Sequence, residues 1–456
     1  MIDGLGLGDA YGATIERIKA QGGGKSKLGM EASMLISHAE RPLTVHELCD
    51  ALAIEPGSID FNADSVPSIE TLVGCCQGLI TADKEGSTVR LIHFTLQEYL
   101  SAHPDVFTRP HAAIAEISLT YLNCGRAKAI STDTLSIPNR RFLKYRTMCR
   151  GVHAKRNLSD CARLLALKLL QEYDDHIWTV HLLEKESPGF GFATRVPFNG
   201  LHCASLFGIV DVVTTFIEMR CYDPNERDFG GRTPLLWATK KGHEEVVKLL
   251  LAQEEVDPNR PKNRGQTPLS FAVWRGCEEV VKILLGREEV NPDKPDDDGM
   301  MPLLCAASEG HEGIVRILLA RREVNPDKPN DHGDTPLSSA AQRGHEDVVK
   351  ILLRRKDVNH EKLDNDGDTP LTCAAYRGHE RMVKILLEQE GVSPDNLNHG
   401  GRTPVSYACS EGHEGVVKIL LEQEEISSNK ADSDGQTPLM YSRTSLSRIP
   451  LNRIPR

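Results

Sequence analysis

The sequence predicts a mostly α-helical protein. A solenoid of stacked helix–turn–helix units fills the C-terminal half, behind a small module of helices with one hairpin and a helical linker. Three observations predict it. Pro followed by Leu or Val recurs at Pro234, Pro268, Pro302, Pro336, Pro370, Pro404 and Pro438, always 34 residues apart. An apolar stripe of the form Val246-Val247-Lys248-Leu249-Leu250-Leu251 follows each of the first six at a constant distance. Hydrophobic residues make up 39% and aromatics 5% of the 456 residues, lean for one large core and normal for a helical array.

Each part of the repeating unit has a physical reading. Thr233 is a good N-cap, and Pro234 suits the first helical position, where a missing N–H costs nothing. Leu235 and Ala238 share one helical face, and Gly242 suits a C-terminal cap with positive φ. Val246, Leu249 and Leu250 form the i, i+3, i+4 stripe of a second helix. The stretch from Asp257-Pro258-Asn259 to Gly265 is turn chemistry. One such unit cannot bury its stripe alone and must stack on its neighbours. A weaker copy precedes the array, with Leu201, Ala204, Gly208, Val212-Val213 and Phe216-Ile217, and Asn199-Gly200 in place of Thr-Pro.

Thr-Pro-Leu, Gly-His and Val-Val-Lys-Leu-Leu-Leu resemble ankyrin repeats, with a period about one residue longer than usual. The departures are Met301 for Thr, Cys277 for His, and Asn199-Gly200. The copy at Pro438 fails after Leu439. Tyr441 to Arg456 lacks Gly-His and the second stripe and carries Pro450 and Pro455. The array is therefore expected to end without a polar cap, leaving apolar surface uncovered near Leu420, Leu421 and Leu439 and hydrogen exchange fastest after Glu422.

Several patterns imitate catalytic or metal motifs. His243, His311, His345, His379 and His413 recur, but equivalent positions in stacked helices lie about 8–10 Å apart, and zinc needs its ligands about 2 Å from one point. They read as turn-stabilising residues. Asp296-Asp297-Asp298-Gly299 and Asp364-Asn365-Asp366-Gly367 lack the remaining ligands of a calcium loop and read as solvated loop tips. Cys203, Cys305 and Cys373 occupy the position filled elsewhere by Trp237, Phe271 and Tyr407, which marks packing rather than reactivity. Gly22-Gly23-Gly24-Lys25-Ser26 has Lys19 where a phosphate loop needs Gly, and Thr14–Ile18 before it reads as helix. A loop between helices is expected there. No metal site, cofactor or catalytic residue is predicted.

Towards the N-terminus, Thr44-Val45-His46-Glu47 is a capping box opening a helix through Leu52. Pro67 is expected to open another that runs through Cys75 and stops at Gly78. Leu79-Ile80-Thr81 and Val89-Arg90-Leu91-Ile92 read as strands of a hairpin around Lys84-Glu85-Gly86-Ser87. A second capping box, Thr95-Leu96-Gln97-Glu98, starts the next helix. Helices followed by a hairpin describe a winged helix. Between Leu43 and His103 its only Lys or Arg residues are Lys84 and Arg90, so it is expected to pack on protein rather than DNA. Ser159 starts a further helix, apolar on most sides through Leu164, Leu165, Leu167 and Leu169-Leu170. Arg126, Lys128, Arg140, Arg141, Lys144, Arg146, Arg150, Lys155 and Arg156 read as a basic, solvated helical face.

Glu40-Arg41-Pro42-Leu43-Thr44, Glu47-Leu48, Cys75-Cys76-Gln77-Gly78-Leu79 and His93-Phe94-Thr95-Leu96-Gln97-Glu98-Tyr99-Leu100 resemble fungal NACHT–ankyrin proteins, NLR-like signalling NTPases of the STAND class. They also resemble the winged-helix region of GPI inositol-deacylase-like fungal proteins. The resemblance implies a division into 1–27, the end of a helical region belonging to a NACHT module; 28–105, the winged helix; 106–194, a helical linker; 195–442, the ankyrin array; and 443–456, an irregular tail. Walker A and B motifs, which such relatives carry upstream, are absent from this sequence, so the chain looks like a NACHT–ankyrin protein without its motor. The resemblance further implies that His93, within His-x-x-x-Gln-Glu-Tyr, once sensed the phosphate of a bound nucleotide. Its place before a helix start agrees, because helix N–H groups favour anions.

Charge narrows the function classes. Net charge is −11, and the residues after Asn199 carry −9 of it. That field repels phosphate backbones, so nucleic acid is not an expected partner. No apolar run approaches about 18 residues, the length of a membrane span. The first twelve residues lack a signal-peptide pattern, and twelve cysteines without a Cys-x-x-Cys pair suit a reducing compartment, so a cytoplasmic location is expected. The expected function is a non-enzymatic scaffold in STAND-type signalling or non-self recognition. The alternative is a fragment of a NACHT NTPase whose P-loop half is encoded upstream. A protein partner is expected on the concave face and loop tips, at positions that vary from unit to unit: Arg232, Lys240, Lys241, Arg264, Trp274, Arg275, Arg343, Tyr376, Arg377 and Arg402. Asp297, Asp298, Asp331 and Asp366 would form an acidic rim favouring a basic partner segment.

Overall fold

The local rules of the sequence place the first elements. In the computed structural model, helices α1 (Leu7–Ala20) and α2 (Gly23–His38) precede a two-residue strand β1 (Leu43–Thr44) and helix α3 (Val45–Leu52). The structure describes residues 6–58, 65–83, 88–123, 158–171, 198–228, 230–423, 426–427 and 429–445. The expected hairpin tip at Lys84–Ser87, the basic stretch from Arg126 to Arg156 and the tail beyond residue 445 lie outside the described residues.

The Thr44 capping box is present. Glu47 N–H donates to Thr44 Oγ1 at 3.2 Å, and Thr44 N–H donates to Glu47 Oε2 at 2.8 Å. Arg41 holds the same carboxylate with two N–H groups at 2.6 and 2.9 Å, so Glu47 is buried with its charge paired. Helix α4 (Ile69–Cys75) is capped by Ser68, whose hydroxyl accepts from Thr71 N–H, rather than opened by Pro67. Strands β2 (Ile80–Ala82) and β3 (Thr88–Leu91) pair antiparallel, with Ile80 opposite Leu91. The sheet order is β1-β3-β2, with β1 added by pairing Leu43 with Val89.

Two expectations here need correction. Gly23-Gly24-Lys25-Ser26 is not a loop but the first turn of α2. The second capping box does not form. Helix α5 (Phe94–Ala102) starts two residues earlier, with His93 rather than Thr95 as N-cap. Ile92 N–H is still bonded to Leu79 O, which keeps the chain extended up to the helix. Thr95 Oγ1 is taken by Tyr11 OH at 2.8 Å, from α1.

The core of this module is closed by Ile18, Leu48, Leu72, Val89, Leu96 and their neighbours, all buried. Its packing is tight: a Cβ on Gly29 would lie 2.6 Å from Cys75 O. Helix α6 (Pro110–Asn123) packs on α7 (Asp160–Gln171), which Ser159 caps by accepting from Ala162 N–H. Leu169 and Leu170 of α7 are buried, while Leu164 is exposed, so this helix is less apolar in its surroundings than its sequence suggested. Helices α8 (Gly200–Phe207) and α9 (Val210–Met219) form the degenerate copy and pack on α7. Asn199 replaces Thr as cap, accepting from His202 N–H at 3.0 Å. All of these elements belong to one compact unit, Met1–Asp223.

The second unit, Pro224–Arg456, is the repeat array. Its helix pairs are Pro234–Lys241 with Glu244–Leu251, Pro268–Trp274 with Glu278–Leu285, Pro302–Glu309 with Glu312–Leu319, Pro336–Arg343 with Glu346–Leu353, Pro370–Arg377 with Glu380–Leu387, and Pro404–Glu411 with Glu414–Leu421. First helices stack on first helices and second on second. A last first-helix, Pro438–Ser445, covers Pro404–Glu411. The expected exposure of Leu420 is not found: Leu420 is buried. The missing neighbour is felt at Leu439, half-buried where Leu235, Leu303 and Leu371 are buried, and also at Val417, partly exposed where Val383, Val349 and Val315 are buried, and at Met440, which is 46% exposed.

Candidate partner-binding face

The constant residues of each unit are consumed by the fold. Thr233, Thr267, Thr335, Thr369 and Thr403 are buried N-caps, each accepting a backbone N–H from the third residue after it. Met301 caps nothing. The recurring histidines do more than stabilise their own turns. His345 Nε2 donates to Ser308 O at 2.9 Å, His379 to Gln342 O at 3.0 Å, His413 to Tyr376 O at 3.0 Å and, more weakly, His311 to Trp274 O at 3.4 Å. Each therefore staples one unit to the unit before it. The ring lies against the preceding Gly so closely that a Cβ on Gly310 would fall 2.5 Å from His345 Nδ1. At the Cys277 joint there is only a thiol, turned to Arg275 O.

The loop tips are built by one carboxamide or carboxylate per unit. Asp228, Asp296, Asn330, Asp364, Asn398 and Asp432 each accept, through Oδ1, the backbone N–H groups two and four residues on. Asp296 and Asp364, in the calcium-like stretches, thus turn an oxygen onto their own loops. Lys262 stands where the others have Asp or Asn. Its ammonium instead lies 4.5 Å from the Phe271 ring centre, and Arg264 in the same tip has φ 71°. Successive tips are joined by backbone bonds such as Asp297 N–H to Arg264 O and Asn365 N–H to His332 O.

Cys373 is buried and Cys305 half-buried, and desolvation pushes the Cys305 thiol up to about 12, with Glu309 and Asp296 adding to it. The same position holds Trp237, whose indole N–H donates to Asp228 Oδ2 at 2.9 Å, and Tyr407, whose hydroxyl accepts from Asn398 Nδ2.

The ten sequence-predicted contact residues divide into two groups. Arg232 and Arg402 are drawn inward. Arg232 lies 4.8 Å over Trp237, and Arg402 lies 4.4 Å over Tyr407 and 4.5 Å over Tyr441. The other eight project from first-helix ends or tips. Lys240 lies 4.8 Å from the Trp237 ring, and Lys241 is exposed beside it. Trp274 is 50% exposed with Arg275 alongside, and Tyr376 is 37% exposed with Arg377 alongside. Arg264 is exposed, and Arg343 reaches Glu309 of the unit before it. Sequence reasoning passed over Lys262. Comparing its position down the units would have found it, as the one lysine in a column of Asp and Asn.

Sign is distributed unevenly along this face. Lys262 is pushed below the ordinary lysine range by burial first, then by Arg232, Lys240 and Arg264. Further along, burial raises Asp368 to about 6, with Asp364 and Asp366 adding to it, and Asp364 is raised by burial and by Asp366 and Asp334. His93 lies in the other unit, exposed at the start of α5. Its Nδ1 accepts Thr95 N–H at 3.3 Å, which leaves the ring proton of the neutral form on Nε2.

Comparison with known families agrees with these two architectures. Ankyrin repeats match in overlapping stretches, 201–296, 285–362, 324–399, 354–430 and 390–447, which together cover more than half of the chain. The chain belongs to the ankyrin-repeat family. Residues 15–107 match the winged helix domain of GPI inositol-deacylase, beginning inside α1. No curated protein matches the chain. Among the described residues no helix is long and apolar enough to cross a membrane.

Proposed function

We propose that the protein is a non-enzymatic scaffold of a fungal STAND- or NLR-like signalling or non-self-recognition system, acting in the cytoplasm and binding a protein partner on the first-helix face and loop tips of its ankyrin array. The carrying observation is the sorting of residues within one chain. What recurs from unit to unit is buried as caps and stripe or half-buried as staples, while Trp274 and Tyr376, each beside an arginine, vary and stay exposed. Aromatic and arginine side chains are the types enriched at binding hot spots. The acidic tips favour a basic stretch in the partner. The division into 1–27, 28–105, 106–194, 195–442 and 443–456 belongs to this reading. With a partner in hand, Trp274→Ala combined with Tyr376→Ala is expected to weaken binding by about 2 kcal/mol or more with the fold intact. Binding as tight as wild type by the double variant would show that the face is idle.

The second reading, a piece of a NACHT NTPase, is favoured by one local feature. The exposed Nε2 of His93 stands as a donor at a helix start beside the resemblance to nucleotide-sensing winged helices. Joined to an upstream nucleotide-binding half, His93→Ala is expected to loosen ADP; unchanged affinity in that protein removes the reading.

A further inference from the structure

We infer that the first-helix face takes a partner segment of split charge in one register, with an acidic stretch carrying an aromatic or apolar side chain over Lys262, Arg264, Trp274 and Arg275, and a basic stretch over the acidic tips that follow. The inference rests on the proposed partner-binding reading and adds the partner's chemistry to it.

The cationic end is a cluster whose nearest acid, Asp296 of the next tip, acts on Lys262 without pairing with it. Among the described residues, none of Lys262, Arg264 and Arg275 is held in an ion pair. Arg264 and Arg275 are exposed, and Lys262 is held below its usual range by burial first and then by Arg232, Lys240 and Arg264, with Asp296 acting the other way. Trp274 lies among them with half its surface in water, its ring edge-on to Phe271 at 6.2 Å. An acidic segment relieves that repulsion, and an apolar side chain on it covers the indole.

The sign then reverses within one unit. Asp297 N–H is bonded to Arg264 O, so the tip bearing Asp296, Asp297 and Asp298 sits directly against the tip bearing Lys262 and Arg264. Stacked helices are about 10 Å apart, close to the screening length at physiological salt. About three extended residues span that distance. Asp331, Asp334, Asp364, Asp366 and Asp368 continue the negative field, relieved by Arg343 and Arg377 at the helix ends. A uniformly acidic ligand, nucleic acid included, is repelled by the second part, and a uniformly basic one by the first. Only a segment whose charge changes sign at the same place meets attraction throughout.

The test uses the full chain and three fluorescein-labelled synthetic peptides: an acidic block containing Phe, a basic block, and the two joined. The joined peptide is expected to bind about ten-fold tighter than either block, with affinity falling as salt rises. Lys262→Glu, Arg264→Glu and Arg275→Glu together should abolish binding of the acidic block, weaken the joined peptide about ten-fold and leave the basic block at least as tight. Asp331→Lys with Asp366→Lys should do the converse. All five positions are at least partly exposed, and circular dichroism checks that each variant is folded. No binding of the acidic block to wild type, or equal binding of the joined peptide to wild type and to the triple variant, overturns the split-charge register. A natural partner lost on Trp274→Ala with Tyr376→Ala yet indifferent to the triple variant overturns the register and leaves the binding face standing. A partner indifferent to both removes the face as well.

Discussion

The winged helix and the repeat array hold themselves together by different kinds of contact. In the winged helix, Tyr11 reaches Thr95, Gln97 Nε2 donates to Ser37 O, and Gln21 Nε2 donates to Cys75 O, so distant parts of the chain meet through bonds that differ from one another. In the array, each staple runs from a histidine to a carbonyl of the neighbouring unit, and the same bond is made again at the next joint. The first arrangement closes a single core; the second adds stability unit by unit. A lesion should therefore spread through the winged helix and stay near its origin in the array.

The largest expected effect tests the spreading. Leu96 is fully buried in the winged-helix core. Leu96→Ala is expected to cost about 2–5 kcal/mol and to lower hydrogen-exchange protection across α1 to α5 together, with the helices of 336–411 unchanged. Loss confined to α5 would contradict it. A smaller effect tests the confinement. His345→Ala removes the bond to Ser308 O and the ring packed on Gly310, and should cost about 1–2 kcal/mol. Protection should drop in the two units it joins and remain in Pro404–Glu411; a uniform drop along the array would show one cooperative block.

Cys277→His sharpens the comparison from the other side. It places a ring at the joint that lacks one, within reach of Lys240 O by analogy with His311 and Trp274 O. A gain of about 1 kcal/mol is expected, read as a higher denaturant midpoint. The smallest effect is electrostatic. Asp368 has its carboxyl raised to about 6, by burial first and then by neighbouring aspartates. Because the folded value lies above the unfolded one, near 4, ionising Asp368 destabilises the array above about pH 6, and the penalty fades as pH falls towards 4. Asp368→Asn should thus stabilise at pH 7 by about 0.5 kcal/mol, allowing for solvent screening of a partly exposed group. The gain should vanish near pH 4, and a gain independent of pH would point away from charge.

The units were legible because their signals are local. Thr, Pro and Gly act on the few residues beside them, and their spacing repeats. The staples were not, since a histidine's partner is a backbone carbonyl of another unit, and carbonyls carry no residue signature. The same limit explains α5. Thr95 and Glu98 spell a capping box, but the Thr95 hydroxyl is claimed by Tyr11 from the far end of the module. Strand β1 is two residues long and exists only through its pairing with β3. Within the candidate face, Trp274 and Tyr376 were found by asking what varies between units, whereas Arg232 and Arg402 also vary and are nevertheless folded inward over aromatic rings.

The staples also bear on how such a gene can change length. Each joins a side chain kept in most units to an atom that every unit has, at the same separation. Excising residues 324–357, one 34-residue period, would bring His379 to the carbonyl of Ser308, the partner His345 now holds. Recombination between misaligned copies can therefore shorten or lengthen the array by whole periods and leave each new seam that carries a histidine already bonded, while any cut that is not a multiple of the period leaves an unmatched seam.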